Sequence, residues 1–208
     1  MPASDLSLLI DAARAAGEIA SRFSGPGAKR WEKPDGAGPV TEADLAVNAM
    51  LESTLQSARP EYGWLSEETE DSSARLNRDT VFIVDPIDGT RSFVDGGKTW
   101  AHAMAVAHHG VVTAAVIYLP LRDKLYSAAA GQGAFLNGVA IKSSDAAWLK
   151  GASVLSARPN FEAQHWSEGV PEVTRSYRPS LAYRLALVAE GRFDAMLTIR
   201  PTWEWDIA

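Results

Sequence analysis

The chain has 208 residues, 46% of them hydrophobic, enough to bury a substantial core as one domain or two small ones. A formal charge of −6 and a pI near 5.2 argue against non-specific binding to a nucleic-acid polymer or an anionic membrane. Cysteine is absent, which removes disulfides and thiolate chemistry; no stretch approaches the roughly 20 apolar residues of a membrane span, and Asp5, Asp11 and Arg14 interrupt the apolar N-terminal residues that a signal peptide would need, so a cytoplasmic location is the expectation.

Leu6, Leu9, Ile10, Ala13, Ala16, Ile19, Ala20 and Phe23 recur at helical spacing, which predicts an amphipathic first helix closed by Gly25-Pro26-Gly27. Residues 33–39 are rich in turn formers and read as a loop. A second helix is predicted from about Glu42 to Ala58, with Leu45, Val47, Met50, Leu51 and Leu55 on its inner side. Val81 to Val84 form a short strand by length and β-branching, which Pro86 should end because it lacks an amide hydrogen. Residues 101–107 and 111–119 read as strands around the turn His109-Gly110, with another from Lys124 to Ala128. The turn-rich stretch Gly131 to Gly138 ends the first half. A boundary near Asp145 divides an N-terminal α+β part, 1–145, carrying most of the candidate site, from a C-terminal α/β part, 146–208. The second part opens on a strand (Ser153 to Ser156) and a polar loop, followed by a helix (Leu181 to Ala189) and a strand (Asp194 to Ile199). There is no internal repeat.

Residues 81–90, Val-Phe-Ile-Val-Asp-Pro-Ile-Asp-Gly-Thr, carry the most chemistry. Asp85 and Asp88 sit at the mouth of a buried strand, Gly89 permits close backbone approach, and Thr90 supplies a hydroxyl and an amide where a helix can begin. Hard oxygen ligands beside free helix-start N–H groups suit divalent cations bridged to a phosphate. The plain alternative is an Asp- and Gly-rich type I turn. Three further acidic sites accompany it: Asp44 in Pro-Val-Thr-Glu-Ala-Asp, the pair Glu67-Glu68, and Asp206 in Trp-Glu-Trp-Asp. Alone, Thr41-x-x-Asp44 reads as a helix capping box, the glutamates as a solvated loop and Asp206 as a helix-start residue. The four histidines lack metal-ligand spacing and read as structural or exposed. Most of the seven tryptophans read as core, with Trp203 and Trp205 flanking the substrate side as candidates to stack on a base.

In this order and at these separations, the four motifs resemble the inositol monophosphatase superfamily of metal-dependent phosphatases. The resemblance implies a layered αβαβα sandwich with a largely antiparallel sheet in its first half and an incomplete α/β second half. It implies that Glu67, Asp85, Asp88, Asp206 and the backbone carbonyl of Ile87 bind two to three Mg2+ ions. It further implies that the amides of Gly89 and Thr90 cradle the phosphate, that Asp44 and Thr90 orient the attacking water, and that Glu68 stands behind the ligands. Lithium sensitivity is implied likewise, and homodimers are common in the superfamily, although no interface is identifiable in the sequence. The chemistry expected is in-line attack by metal-activated water on a small phosphate monoester, with no phosphoenzyme.

Within the superfamily, Lys33-x-Asp35 followed by Pro39-Val40-Thr41-x-Ala43-Asp44 looks most like the 3′(2′),5′-bisphosphate nucleotidases of the CysQ type, as does the stretch from Ser180 to Gly191, although Pro179 replaces a usual glycine. Hydrolysis of 3′-phosphoadenosine 5′-phosphate is therefore the leading expectation. Inositol monophosphatases carry a glutamate where this chain has Ile199, which cannot hydrogen-bond an inositol hydroxyl. Thr90-Arg91-Ser92-Phe93 is similar to a stretch of the histidinol phosphatases, which keeps histidinol phosphate as a third substrate. The superfamily continues for about fifty residues past the position of Ala208, so this chain reads as truncated. If the polypeptide ended there, Asp206 would sit on a fraying terminus. A non-catalytic, partner-binding role on the same fold is the alternative of a different class.

Overall fold

The computed structural model describes residues 4–23, 27, 29–34 and 38–208. The expected helix stop at Gly25-Pro26, and Asp35 of the proposed Lys33-x-Asp35 motif, lie outside them. In chain order the elements are α1 (Asp5–Phe23), β1 (Arg30–Glu32), β2 (Pro39–Thr41), α2 (Glu42–Ala58), β3 (Gly63–Ser66), β4 (Thr80–Asp88), α3 (Thr90–Val94), β5 (Ala101–His108) and β6 (Val111–Leu119). They continue with β7 (Lys124–Ala129), β8 (Gly133–Leu136), β9 (Val139–Ile141), β10 (Ser153–Leu155), β11 (Thr174–Ser176), α4 (Leu181–Ala189), β12 (Ala195–Met196) and α5 (Glu204–Ile207).

Strands β3 to β9 form one seven-stranded sheet in sequence order, parallel only between β3 and β4 and antiparallel elsewhere. Helices α1 and α2 pack together on one face. The apolar spacing of α1 buries Leu9, Ala13, Ala16 and Ala20 against Phe82, Val84, Met104 and Val106 of the sheet. The opposite face receives α4 and α5. On that side β5 presents the row Ala101, Ala103, Ala105, Ala107, all buried, and alanine's short side chain lets helix backbones approach closely. Leu155, Tyr183, Ala186 and Leu187 close a second core over Ala101, Leu119 and Tyr126. Beyond α4 lies a three-stranded parallel sheet in the order β11-β10-β12. Helices and sheets thus alternate in layers: the expected α/β sandwich.

Several expectations change in detail. Helices α2 and α4 have the predicted bounds, but Leu45 is exposed, and Ala43, Asp44 and Asn48 take the buried positions instead. Pro86 does not end its strand. β4 runs on to Asp88, with its pairing to β5 shifting between Asp85 and Asp88, so Pro86 occupies an irregularity where no ladder hydrogen is required. The stretch Gly131 to Gly138 contains strand β8, because Gly131, Gly133, Asn137 and Gly138 take positive φ at its two ends and leave Ala134 to Leu136 free to pair. The predicted strand from Asp194 to Ile199 reduces to β12, two residues long.

Candidate active site

The irregular end of β4 delivers the site's acidic groups. Once the ladder breaks after Asp85, both Asp85 and Asp88 are buried at the same strand end. Gly89 follows at φ +95°, a left-handed conformation that turns the chain into α3. A Cβ at Gly89 would stand 3.4 Å from the Thr99 carbonyl oxygen and 3.5 Å from Ser180 Cβ, ordinary contact distances, so the demand for glycine comes from the positive φ. Asp206 reaches the same place from α5, where its carboxylate accepts the Trp203 N–H at 2.8 Å. One carboxylate oxygen from each of Asp85, Asp88 and Asp206 lies within 4.8 Å of the others.

Each acid is held differently. Asp88 Oδ2 accepts from the Ser180 hydroxyl and from the Ala182 N–H, both at 2.6 Å, so this carboxylate also caps the start of α4. Burial pushes its pKa up to about 6 against the pull of those donors. Asp44 completes a capping box with Thr41 at the start of α2 and reaches Thr90 Oγ1 at 3.5 Å; burial raises it to about 6. The Thr90 hydroxyl makes its shorter bond to the Ile87 carbonyl, at 3.1 Å. The capping box expected of Thr41 and Asp44 is present, and the same carboxylate also lies beside the Thr90 hydroxyl. Glu67 and Glu68 converge on the Lys33 ammonium at 2.8 and 2.7 Å. Burial, opposed by Lys33, lifts Glu68 to about 7. Glu67 stands outside the trio, yet near enough that its charge raises Asp85 and Asp206.

Asp85 Oδ1 is buried without a hydrogen-bond partner. Burial, reinforced by the charges of Glu67, Asp88 and Asp206, holds its carboxyl well above the ordinary range. An orphaned carboxylate oxygen facing two more carboxylates is stabilised as an anion by a cation between them. All the donors are hard oxygens, which suits Mg2+. The residues fit a divalent metal centre.

Above the trio opens a cleft of about 260 Å3 whose walls include Glu67, Gly89, Thr90, Tyr177, Arg184 and Arg200. Neither Trp203 nor Trp205 is among its lining residues; they stack on each other, centroids 5.2 Å apart, and the aromatic ring in the lining is Tyr177. A larger cavity of about 760 Å3, between Val81 and Ile83 of the sheet and Ile207 of α5, is mainly apolar and lies apart from the acidic trio. His102 is structural: buried, lowered to about 4 by that burial, with Nδ1 bonded to the Pro86 carbonyl. Sequence reasoning missed Ser180 as the group that fixes Asp88. Its only signal was a serine directly before an apolar helix.

Residues 2–208 match the model of the inositol monophosphatase family. The chain belongs to that family. It is a metal-dependent phosphatase. The Nus factor SuhB of Escherichia coli K12 is 30% identical over 214 residues, covering 98% of this chain and 79% of the relative. The inositol-1-monophosphatase of Mesorhizobium japonicum is 32% identical over 222 residues, with the same two coverages. Among solved structures, the extragenic suppressor protein suhB of Bartonella henselae superposes with a TM-score of 0.80 at 29% identity, covering 97% of this chain and 80% of that one. The Thermotoga maritima IMPase gives 0.80 at 27% identity, covering 97% and 78%. Among the described residues, no helix is long and apolar enough to cross a membrane.

Proposed function

We propose that this inositol monophosphatase family member hydrolyses a phosphorylated nucleotide of the 3′-phosphoadenosine 5′-phosphate type, releasing AMP and inorganic phosphate. The observation that carries the phosphatase chemistry is the trio Asp85, Asp88 and Asp206, buried or half-buried within 4.8 Å of one another, of which Asp88 and Asp206 line a cleft that also carries Arg184 and Arg200. These three, with Glu67 and the Ile87 carbonyl, would hold two to three Mg2+ ions. Such ions neutralise the phosphate dianion and acidify a water at neutral pH.

The chain's own residues then have distinct tasks. The Gly89 and Thr90 amides, at the sharp turn out of β4, would hold the phosphate oxygens. Asp44, anchored by its own helix cap, would accept from the Thr90 hydroxyl and so fix the attacking water between them. The Ser180 and Ala182 donors keep the Asp88 lone pairs oriented. Asp88 thereby joins the start of α4 to the cleft floor. With no cysteine available and Thr90 placed to orient rather than to attack, we favour direct attack by water.

The nucleotide is favoured by what lines the cleft away from the carboxylates: an aromatic ring, Tyr177, and the cations Arg184 and Arg200. Ile199 offers no hydrogen bond to an inositol hydroxyl. Inositol 1-phosphate is the second reading, supported by relatives named inositol-1-monophosphatase at 32% and 33% identity. A partner-binding role of the kind the name Nus factor suggests for SuhB leaves the buried carboxylate trio without a purpose. Phosphate release in Mg2+, comparing 3′-phosphoadenosine 5′-phosphate with inositol 1-phosphate, tests the proposal. A preference for the nucleotide supports it; a preference for the inositol ester replaces it with the second reading; release from neither removes both.

A further inference from the structure

Arg184 sits in the first turn of α4 and is only 9% exposed. Its Nε bonds the Ser180 carbonyl at 3.4 Å, and its guanidinium carbon lies 5.3 Å from the centre of the Tyr177 ring. Among the described residues no carboxylate comes within ion-pair distance, and its terminal nitrogens, facing the cleft, donate to nothing. Arg200, on the loop between β12 and α5, faces the same cleft, is exposed and likewise has no ion pair. The two guanidiniums are close enough to repel each other. Burying a guanidinium without a partner is costly. Two converging, unpaired cations therefore mark a place shaped for an anion.

Attraction to the acidic trio does not account for them. Asp88 and Asp206 do act on Arg184 at longer range. Once these carboxylates hold divalent cations, however, that attraction is cancelled and the arginines become more conspicuously unpaired. A single phosphate bound over the metal ligands is already engaged there. The charge of Arg184 and Arg200 is left for something else on the substrate.

We propose that Arg184, Arg200 and the face of Tyr177 form a second anion subsite, which selects substrates carrying another phosphate besides the one removed. This rests on the reading of the trio as the hydrolytic centre, not on the nucleotide itself. The planar fork of Arg184 can meet two phosphate oxygens at once, as an ammonium cannot. Tyr177, 47% exposed, holds that fork from behind and offers its remaining surface to a ring on the substrate. The substrate class that satisfies all three residues is a small bisphosphate with a ring between its phosphates, such as a nucleoside 3′,5′-bisphosphate.

The test uses two matched pairs, adenosine 3′-phosphate with 3′-phosphoadenosine 5′-phosphate, and inositol 1-phosphate with inositol 1,4-bisphosphate. The unaltered protein and the variants Arg200→Met and Arg184→Lys are assayed in Mg2+. Arg200 is exposed, so its variant leaves the fold intact, and Arg184→Lys keeps the charge while removing the fork. For the unaltered protein, kcat/KM should favour the doubly phosphorylated member of at least one pair by about tenfold or more, as one charge-assisted contact implies. In Arg200→Met that ratio should fall about tenfold, chiefly through KM, and in Arg184→Lys by a smaller factor. Calorimetric titration with adenosine 5′-phosphate, which keeps only the second phosphate, supplies a readout independent of turnover; Arg200→Met should weaken it by a similar factor. Equal turnover within both pairs, or variants that change both members alike, would overturn the subsite. Preference for the inositol bisphosphate alone, lost in the variants, would keep the subsite and remove the nucleotide reading. If nothing is turned over, adenosine 5′-phosphate binding that ignores Arg200 overturns the proposal, and binding that depends on it supports it.

Discussion

Ser180→Ala breaks two connections through one atom. The hydroxyl donates to Asp88 Oδ2 at 2.6 Å and accepts the Tyr183 N–H at 2.9 Å, in a fully buried position. Losing the helix cap costs about 1 kcal/mol. Losing a donor to a charged group costs roughly 1.5–3 kcal/mol, and Asp88 still keeps the Ala182 N–H. The sum is about 2–4 kcal/mol, a fall in Tm of roughly 4–16 °C for a chain of this size. Ser180→Gly separates the two effects, because glycine caps a helix nearly as well as serine and leaves only the Asp88 bond broken. Urea unfolding of the metal-free proteins measures the cost. A Mg2+ titration followed by thermal shift reports whether Asp88 still presents itself as a ligand, and both variants should need several-fold more Mg2+ for the same stabilisation. A Ser180→Ala protein within about 0.5 kcal/mol of the parent would refute the claim that this hydroxyl joins α4 to the metal-binding turn.

The metal-free protein should lose stability as pH rises. Asp44 and Asp88 move from 3.8 to about 6 and Glu68 from 4.5 to about 7, so between those values the folded chain binds more protons than the unfolded one. The loss begins near pH 4 and is complete above pH 7, on the order of 3 kcal/mol for each aspartate; Mg2+ should flatten the slope, and Tm measured across this range with and without the ion checks it. Asp85→Asn replaces a carboxyl whose charged form is penalised by burial and by its acidic neighbours with a neutral group, so the metal-free variant should be more stable than the parent at pH 7 while losing the Mg2+-induced shift, which at one hundred times Kd amounts to about 2.7 kcal/mol. Gly89→Ala forces a Cβ into a left-handed turn 3.4 Å from the Thr99 carbonyl; about 1–2 kcal/mol of stability should go with most of the phosphate release, followed by urea titration and a phosphate assay.

The apolar spacing of α1, the apolar run of α4 and the strand pattern around His109-Gly110 each specify a local element, because periodicity acts within a few residues. Asp85 and Asp88 were legible as candidates for the same reason, since residue type and a three-residue spacing mark them, although their placement rests on the pairing of β4 with β5 and on the donors at the start of α4. Weaker signals failed where partners lie far away. Leu45 looked like core but faces outward, because Asp44 and Asn48 must point inward, toward Thr90 and Ser66 respectively. Strand β8, only four residues long, exists through its pairing with β7. That Tyr177 lines the cleft while Trp203 and Trp205 stack on each other depends on how the loop before α5 crosses it.

The family, helices α1, α2 and α4, and the acids that could bind metal are written in residue type and short-range spacing. Local patterns say nothing of how Asp206 closes on Asp85 and Asp88 across more than a hundred residues, how Ser180 holds Asp88, or how Arg184 and Arg200 come to share a cleft with Tyr177. Those are encounters between distant segments. They are fixed by how α4 and α5 pack over the alanine row of β5, a matter of long-range packing that no local pattern encodes.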